Sequence, residues 1–247
     1  MAGSETVIEI RPLFALAEFA AAVELQQRIW GFADMDTLPT RFFVVASRIG
    51  GQIWGAFHSG TMIAFCLAIP GVQPDGTAYW HSHMLGVLPE YRDAGVGRRM
   101  KLRQRLDALE RGFDLVEWTF DPLDIKNAYF NLDRLGAIVR RYTENQYGAA
   151  SGPLFAGLPT DRCNAEWWIG SPRVSAVLAG EKPERHVQER IAVPADIETL
   201  RHEQPERARE IQRCNAERFQ RAFAQGLAVT GFERTETAGV YLLERWP

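Results

Sequence analysis

One stretch near the middle of this 247-residue chain restricts the fold more than any other: a strand, a glycine-bearing turn, a helix and a second strand, in that order. Ala78 to Leu88 reads as a strand, Gly95 to Arg111 is strongly helical, and Phe113 to Phe120 is a further strand packed with Leu, Val, Trp and Phe. The first strand and the helix are joined by Pro89-Glu-Tyr-Arg-Asp-Ala-Gly-Val-Gly97. A turn of this kind leaves several backbone N–H groups at the helix mouth without partners, and such groups bind phosphate oxygens. Gly95 and Gly97 remove the Cβ atoms that would hold an anion away from the backbone, and the helix macrodipole adds partial positive charge there. Arg92, Arg98 and Arg99 supply full charges. Two familiar phosphate sites are excluded by spacing. Met100 stands where a dinucleotide fingerprint needs its third glycine, and there is no P-loop lysine.

Around this unit the periodicity predicts strand Thr6 to Arg11, helix Ala15 to Gly31 and helix Thr40 to Ile49. A hairpin follows, Gln52 to Phe57 with Met62 to Ile69, turning at His58-Ser-Gly-Thr61 and leaving through a loop over Pro70 to Gly76. After Phe120 come helix Ile125 to Leu135, stopped by Gly136, and strands Ala137 to Tyr142 and Cys163 to Ile169 with a loop over Gly148 to Pro159 between them. From Ser171 a polar stretch punctuated by Pro172, Gly180 and Pro183 leads to strand Arg190 to Val193 and helix Glu206 to Gln225. Strands Leu227 to Phe232 and Gly239 to Leu243 end the chain.

Composition narrows the function classes. With 46% hydrophobic and 24% charged residues, folded structure is expected nearly throughout. A formal net charge of -3 gives no global attraction to nucleic acid or to anionic lipid, so anion binding must be local. Cys66, Cys163 and Cys214 are odd in number and form no CxxC, which argues against a disulfide framework or a zinc ribbon. No basic segment followed by an apolar stretch opens the sequence, and Met62 to Pro74, the longest nearly uncharged run, is too short to cross a bilayer, so a cytoplasmic location is the expectation.

Arg92-Asp93-Ala94-Gly95-Val96-Gly97, an R-x-x-G-x-G sequence, resembles the pyrophosphate-binding motif of the GNAT acetyltransferases. The order of elements from Thr6 to Ile169 is similar to the whole GNAT core, and Leu85-Gly-Val87-Leu-Pro-Glu-Tyr-Arg92 looks like that family's approach to its turn. The resemblance implies an α/β (α+β) fold of the acyl-CoA N-acyltransferase type, a mixed twisted sheet flanked by helices. It implies a core over residues 1–170; residues 171–247 lie outside it and read as a strand-helix-strand-strand extension. Acyl-CoA is the implied donor, held by Leu85, Val87, Arg92 to Arg98 and Asn127, with backbone near Val87 free to pair with the pantetheine arm. No metal is implied.

Transfer to an amine requires that the amine lose a proton, and the departing thiolate gains one. Six residues before Val87, where the family often places a carboxylate base, this chain has His81, and His83 shares its face because residues two apart on a strand point the same way. The structural alternative is that one or other of these histidines simply hydrogen-bonds within the sheet; a second is a His-x-His metal site, for which no third ligand is evident. Glu117 is a reserve base or a member of an ion-paired face. The family's thiolate-acid tyrosine falls at Leu132 and its asparagine at Ile125, so Tyr129, one turn earlier, stands as the substitute acid, with a packed helix aromatic as the alternative. Asp121-Pro-Leu-Asp124, Asn127 to Ala137, Tyr142 and Tyr147-Gly148 look more like an uncharacterised GNAT subgroup than the common members.

The arginine-rich side of Glu206 to Arg221 is interleaved with glutamates and reads as a solvated face. The extension has three available roles: extending the sheet, covering the acceptor cleft or forming a homodimer contact. Three functions follow for the chain: an acyltransferase acting on a small amine or amino acid, a degenerate CoA-binding sensor, or an interaction module for protein or nucleic acid. The turn favours the first two.

Overall fold

The computed structural model describes residues 7–148 and 157–246. The expected loop over Gly148 to Pro159 therefore lies largely outside the described residues, as does the start of the expected first strand. Two compact units divide the chain, Met1–Val116 and Glu117–Pro247. The strand β5 (Leu115–Phe120) carries the backbone from one to the other.

In the first unit, β1 (Glu9–Pro12), β2 (Gln52–His58), β3 (Thr61–Val72) and β4 (Ala78–Val87) pair in that order, each ladder antiparallel. The β2–β3 turn is two residues long, and Ser59 and Gly60 both have positive φ, the geometry that suits the right-handed twist of a hairpin. β3 outruns its expected end: Pro70 and Gly71 remain in the ladder, opposite Trp80 and Tyr79. Proline is tolerated there because β2 begins opposite Ala68, so beyond that point β3 has no ladder with β2.

Helix α1 (Leu16–Trp30) buries Phe19, Ala22, Leu25 and Ile29, an apolar stripe at helical spacing. Its mouth is closed by Glu18, whose carboxylate accepts the backbone N–H groups of Phe14 and Ala15 at 2.9 and 3.0 Å, and Gly31 closes the other end in the left-handed conformation. Helix α2 (Thr40–Arg48) adds Phe43 and Ala46 to the same core, and α3 (Val96–Glu110) contributes Val96 and Met100.

The second unit has the strand order β7 (Arg162–Trp168), β6 (Ile138–Thr143), β9 (Leu227–Arg234), β10 (Ala238–Arg245), β8 (Glu189–Pro194), again with antiparallel ladders. The helix expected over Ile125 to Leu135 is shorter and changes form. α4 (Ile125–Tyr129), capped by the Asp124 carboxylate on Asn127 N–H, gives way to a π turn over Phe130–Arg134, where Leu135 N–H reaches back to Phe130 carbonyl at 3.1 Å. Two helices were not expected. α5 (Pro172–Leu178) starts from a Ser171 cap with proline in its first turn, and α6 (Ile197–Glu203) precedes α7 (Pro205–Ala224).

The C-terminal stretch is fastened to the rest of the second unit by polar contacts. Arg201, 5% exposed at its side chain, pairs with Asp121 at 2.7 Å. Tyr241 hydroxyl donates to Pro122 carbonyl at 2.7 Å, and Phe232 N–H donates to Asp133 at 3.3 Å. The Asp121-Pro-Leu-Asp124 sequence thus serves as an anchor for α6 and β10 and as the cap of α4. No helix among the described residues is long and apolar enough to cross a membrane.

Candidate functional site

β4 delivers the chain to a short 3-10 turn, Pro89–Tyr91, and then to the exposed backbone of Arg92 to Gly95. Several contacts fix this approach. Tyr91 hydroxyl lies 2.8 Å from His58 Nδ1, at the end of β2. Arg92 donates to the carbonyls of Val87 and Ile29, both at 3.3 Å, and Arg99 donates to Ile8 carbonyl at 2.7 Å. Arg92 and Arg99 therefore act first as ties between the turn, the end of α1 and the start of β1. Their charge stays at the helix mouth. The carbonyl of Val87, expected to be free, accepts from Arg92, and Val87 itself stands opposite Ala64 in the β3–β4 ladder.

Asp93 and Gly95 both take positive φ, 62° and 75°. Gly95 is the residue before α3, the first helical bond runs from Arg99 N–H to Gly95 carbonyl at 3.0 Å, and no side chain caps the helix. The amides of Val96, Gly97 and Arg98 precede that bond and are the ones a helix leaves unused. There is no acidic residue in the first turn. A Cβ built on Gly95 meets nothing within 4 Å, and one on Gly97 would make ordinary contacts with Leu85 and Val87 at 3.6 and 3.8 Å. Gly95 is thus explained by its left-handed backbone, whereas Gly97, inside the helix, has no packing reason to lack a side chain.

β4 also carries the two histidines. The β3–β4 register jumps from Leu67 opposite Met84 to Ala68 opposite Ser82, so His83 is the extra residue of a β-bulge. His81 and His83 share a face, as expected, with ring centroids 5.7 Å apart, and His83 lies 6.2 Å from the ring of Phe42 on α2. Burial, aided by His83 and then Lys101, pushes His81 down to about 4. The protein atoms packed about His83 lower its pKa too, although its ring remains open to solvent.

Ser82, between them, is buried and accepts a hydrogen bond from Lys101 Nζ at 2.8 Å; Lys101 also donates to Gln104 at 3.1 Å. Burial holds the Lys101 ammonium down to about 7. This pair was missed from sequence. The signal was present in the spacing, since Val96, Met100, Lys101, Gln104 and Ala108 form one buried helix face.

The other candidates belong to the second unit. Glu117, 7% exposed on β5, accepts from Arg141 at 2.7 Å, and Arg141 lies 3.7 Å from Glu166, which Arg140 holds at 2.5 Å. Its carboxylate is part of an ion-pair chain. Tyr129 on α4 lies under the guanidinium of Arg234, 4.3 Å from the ring centroid. Asn127 accepts from Asn131 at 3.1 Å. Leu132, at the position where the resemblance leads one to expect a tyrosine, is fully buried. Among the described residues no group of three His, Cys, Asp or Glu could hold a metal ion, and the three cysteines are free.

This is an α/β fold of the acyl-CoA N-acyltransferase type, and within it a strand with a bulge runs into an uncapped, glycine-opened helix mouth. Residues 19–133 match the acetyltransferase (GNAT) family. The ribosomal-protein-S18-alanine N-acetyltransferase of Escherichia coli shares the fold with a TM-score of 0.52 at 17% identity, over 74% of this chain and 100% of that one. A putative GNAT-family acetyltransferase from Desulfovibrio desulfuricans matches at 0.53 and 12%, covering 66% and 100%. The putative acetyltransferase yncA of Salmonella typhimurium, solved with its cofactor acetyl-CoA, matches at 0.52 and 17%, covering 67% and 95%. No curated protein matches the chain.

Proposed function

We propose that the protein transfers an acyl group, acetyl in the simplest case, from acyl-CoA to the primary amine of a small molecule or amino acid, by direct attack in a ternary complex. The observation that carries this reading is the mouth of α3. Glycine at the second helical position costs about 1 kcal/mol relative to alanine, and here no neighbour requires it. An anion resting on the amides of Val96 to Arg98 accounts for that glycine, for the missing cap and for the absence of an acid in the first turn. A diphosphate fits such a mouth, with the arginine charges of Arg92, Arg98 and Arg99 around it.

In the reaction the amine nitrogen attacks the thioester carbonyl; the C–N bond forms, the C–S bond breaks and the thiolate leaves. The attacking nitrogen must give up a proton. His83, at a bulge and open to solvent, is the better base of the pair, because the pKa of His81 is held further below the operating range. His81 stays neutral and orients the acceptor. Tyr129 remains the candidate donor to the thiolate, and Glu117, tied to Arg141, is assigned a structural role. Localisation in the cytoplasm, and an acceptor that is neither nucleic acid nor lipid, belong to the same proposal.

Calorimetric titration with acetyl-CoA and succinyl-CoA tests the donor, and release of free CoA on addition of amines tests the transfer. Binding of either coenzyme with amine-dependent release supports the reading. Binding without release under any amine leaves a sensor, and binding of neither removes the proposal.

A further inference from the structure

The second unit contains a concavity that acyl transfer leaves unused. The start of β6, the end of β7, the first turn of α5 and Trp246 enclose about 480 Å³, within the range of small-molecule sites. Four side chains give it its chemistry: Trp168, Trp246, Arg140 and Arg173. Both indoles are only partly buried.

The two cations differ in how they are compensated. Arg140 donates twice to Glu166, at 3.1 and 2.5 Å, and is neutralised. Arg173 has no carboxylate within 4.0 Å among the described residues; the pairs formed nearby are Arg185 with Asp133 and Arg140 with Glu166. One terminal nitrogen of Arg173 donates to Thr230 carbonyl, its Nε is buried with no hydrogen-bond partner, and its guanidinium lies 5.9 Å from the ring centroid of Trp246. Burial and then the Arg185 guanidinium pull its pKa down, against a weaker upward pull from Glu244 and Asp133. A half-buried cation with too little negative charge around it is costly on its own and is relieved by an anion.

We propose that this concavity binds a small planar carboxylate, an aromatic or heteroaromatic acid whose ring lies on the indoles and whose carboxylate pairs with Arg173. The indoles select a flat apolar body, since aromatic faces stack in offset or edge geometry. Guanidinium selects a carboxylate by parallel, charge-assisted hydrogen bonds. The site uses no residue assigned above to coenzyme or acceptor, so it stands or falls apart from the acyl-transfer reading.

Indole-3-acetate titrated into the full chain, followed by calorimetry, is the test, with indole-3-acetamide as the uncharged control. Saturable binding with a Kd below about 1 mM is expected, weakened at least about tenfold for the amide and by Arg173→Gln. Because Arg173 also holds Thr230 carbonyl, Trp246→Leu serves as a second variant at a partly exposed position, with the same loss expected. Absence of saturable binding up to about 5 mM, or equal affinity for the amide or in folded variants, overturns the proposal.

Discussion

Lys101 Nζ donates to Ser82 Oγ at 2.8 Å, so an amine lies in the interior directly behind the strand that presents His81 and His83. Its folded pKa, about 7, is below the ordinary 10.5, and the unfolded chain therefore binds more protons between those values. Stability on this account rises with pH from about 7 to 10.5, by up to about 1.4 kcal/mol per pH unit. Urea unfolding at pH 7.5 and 9.5 is expected to show this slope in the wild type and a flatter one in Lys101→Met. Equal slopes would mean that the ammonium stays charged in the fold.

Gly95→Asp places a side chain and a negative charge at the helix mouth, where a Cβ meets open space but the backbone has φ 75°. Acyl-CoA affinity is expected to fall by about a hundredfold or more, roughly 3 kcal/mol. Strain at the left-handed position costs about 1–2 kcal/mol of stability, short of unfolding the chain. Gly95→Ala separates the two effects in the same titration, since it carries the strain without the charge.

With His83 as the proposed base, the histidines set the expected acid limit of activity. Both folded pKa values are depressed, so the neutral, proton-accepting forms persist below pH 6.5, and the acid limb of kcat/KM is expected under that value, with His81 itself charging only near 4. An acceptor amine of low basicity keeps its own ionisation out of the profile. His83→Gln is expected to lower kcat by about a hundredfold or more while leaving acyl-CoA binding intact; an unchanged rate would remove His83 as base.

Arg201→Met strands Asp121, whose other oxygen accepts Leu123 N–H at 2.8 Å. Breaking a buried pair from one side costs about 3–5 kcal/mol. Thermal unfolding is expected to show a large drop in Tm for the single variant and partial recovery when Asp121→Asn is added.

The elements legible in sequence were those with long periodicity or glycine at a forced backbone. The hairpin turning at Ser59-Gly60 and the passage from β4 through Gly95 into α3 are of this kind. Short helices escaped because proline has two meanings: Pro172 reads as punctuation, yet after Ser171 it is also a helix start. The π turn after Tyr129 has no sequence signature separate from an α-helix. Of the candidate site, the turn and the shared face of His81 and His83 were visible. The pairing of Glu117 with Arg141 was not, because it depends on the irregular register between Val139 and Arg141, beside which Arg141 reaches Glu117 as well as Glu166. Lys101 carries no such signal in its residue type, because lysine is almost never fully buried.

β9 lies alongside β6, with Val139 opposite Val229. A chain cut after residue 170 would strip β6 of that neighbour and leave a raw row of amides and carbonyls, a template for pairing with another molecule. Shortening the protein to its familiar-looking front portion should therefore yield clumped material in place of a smaller working enzyme.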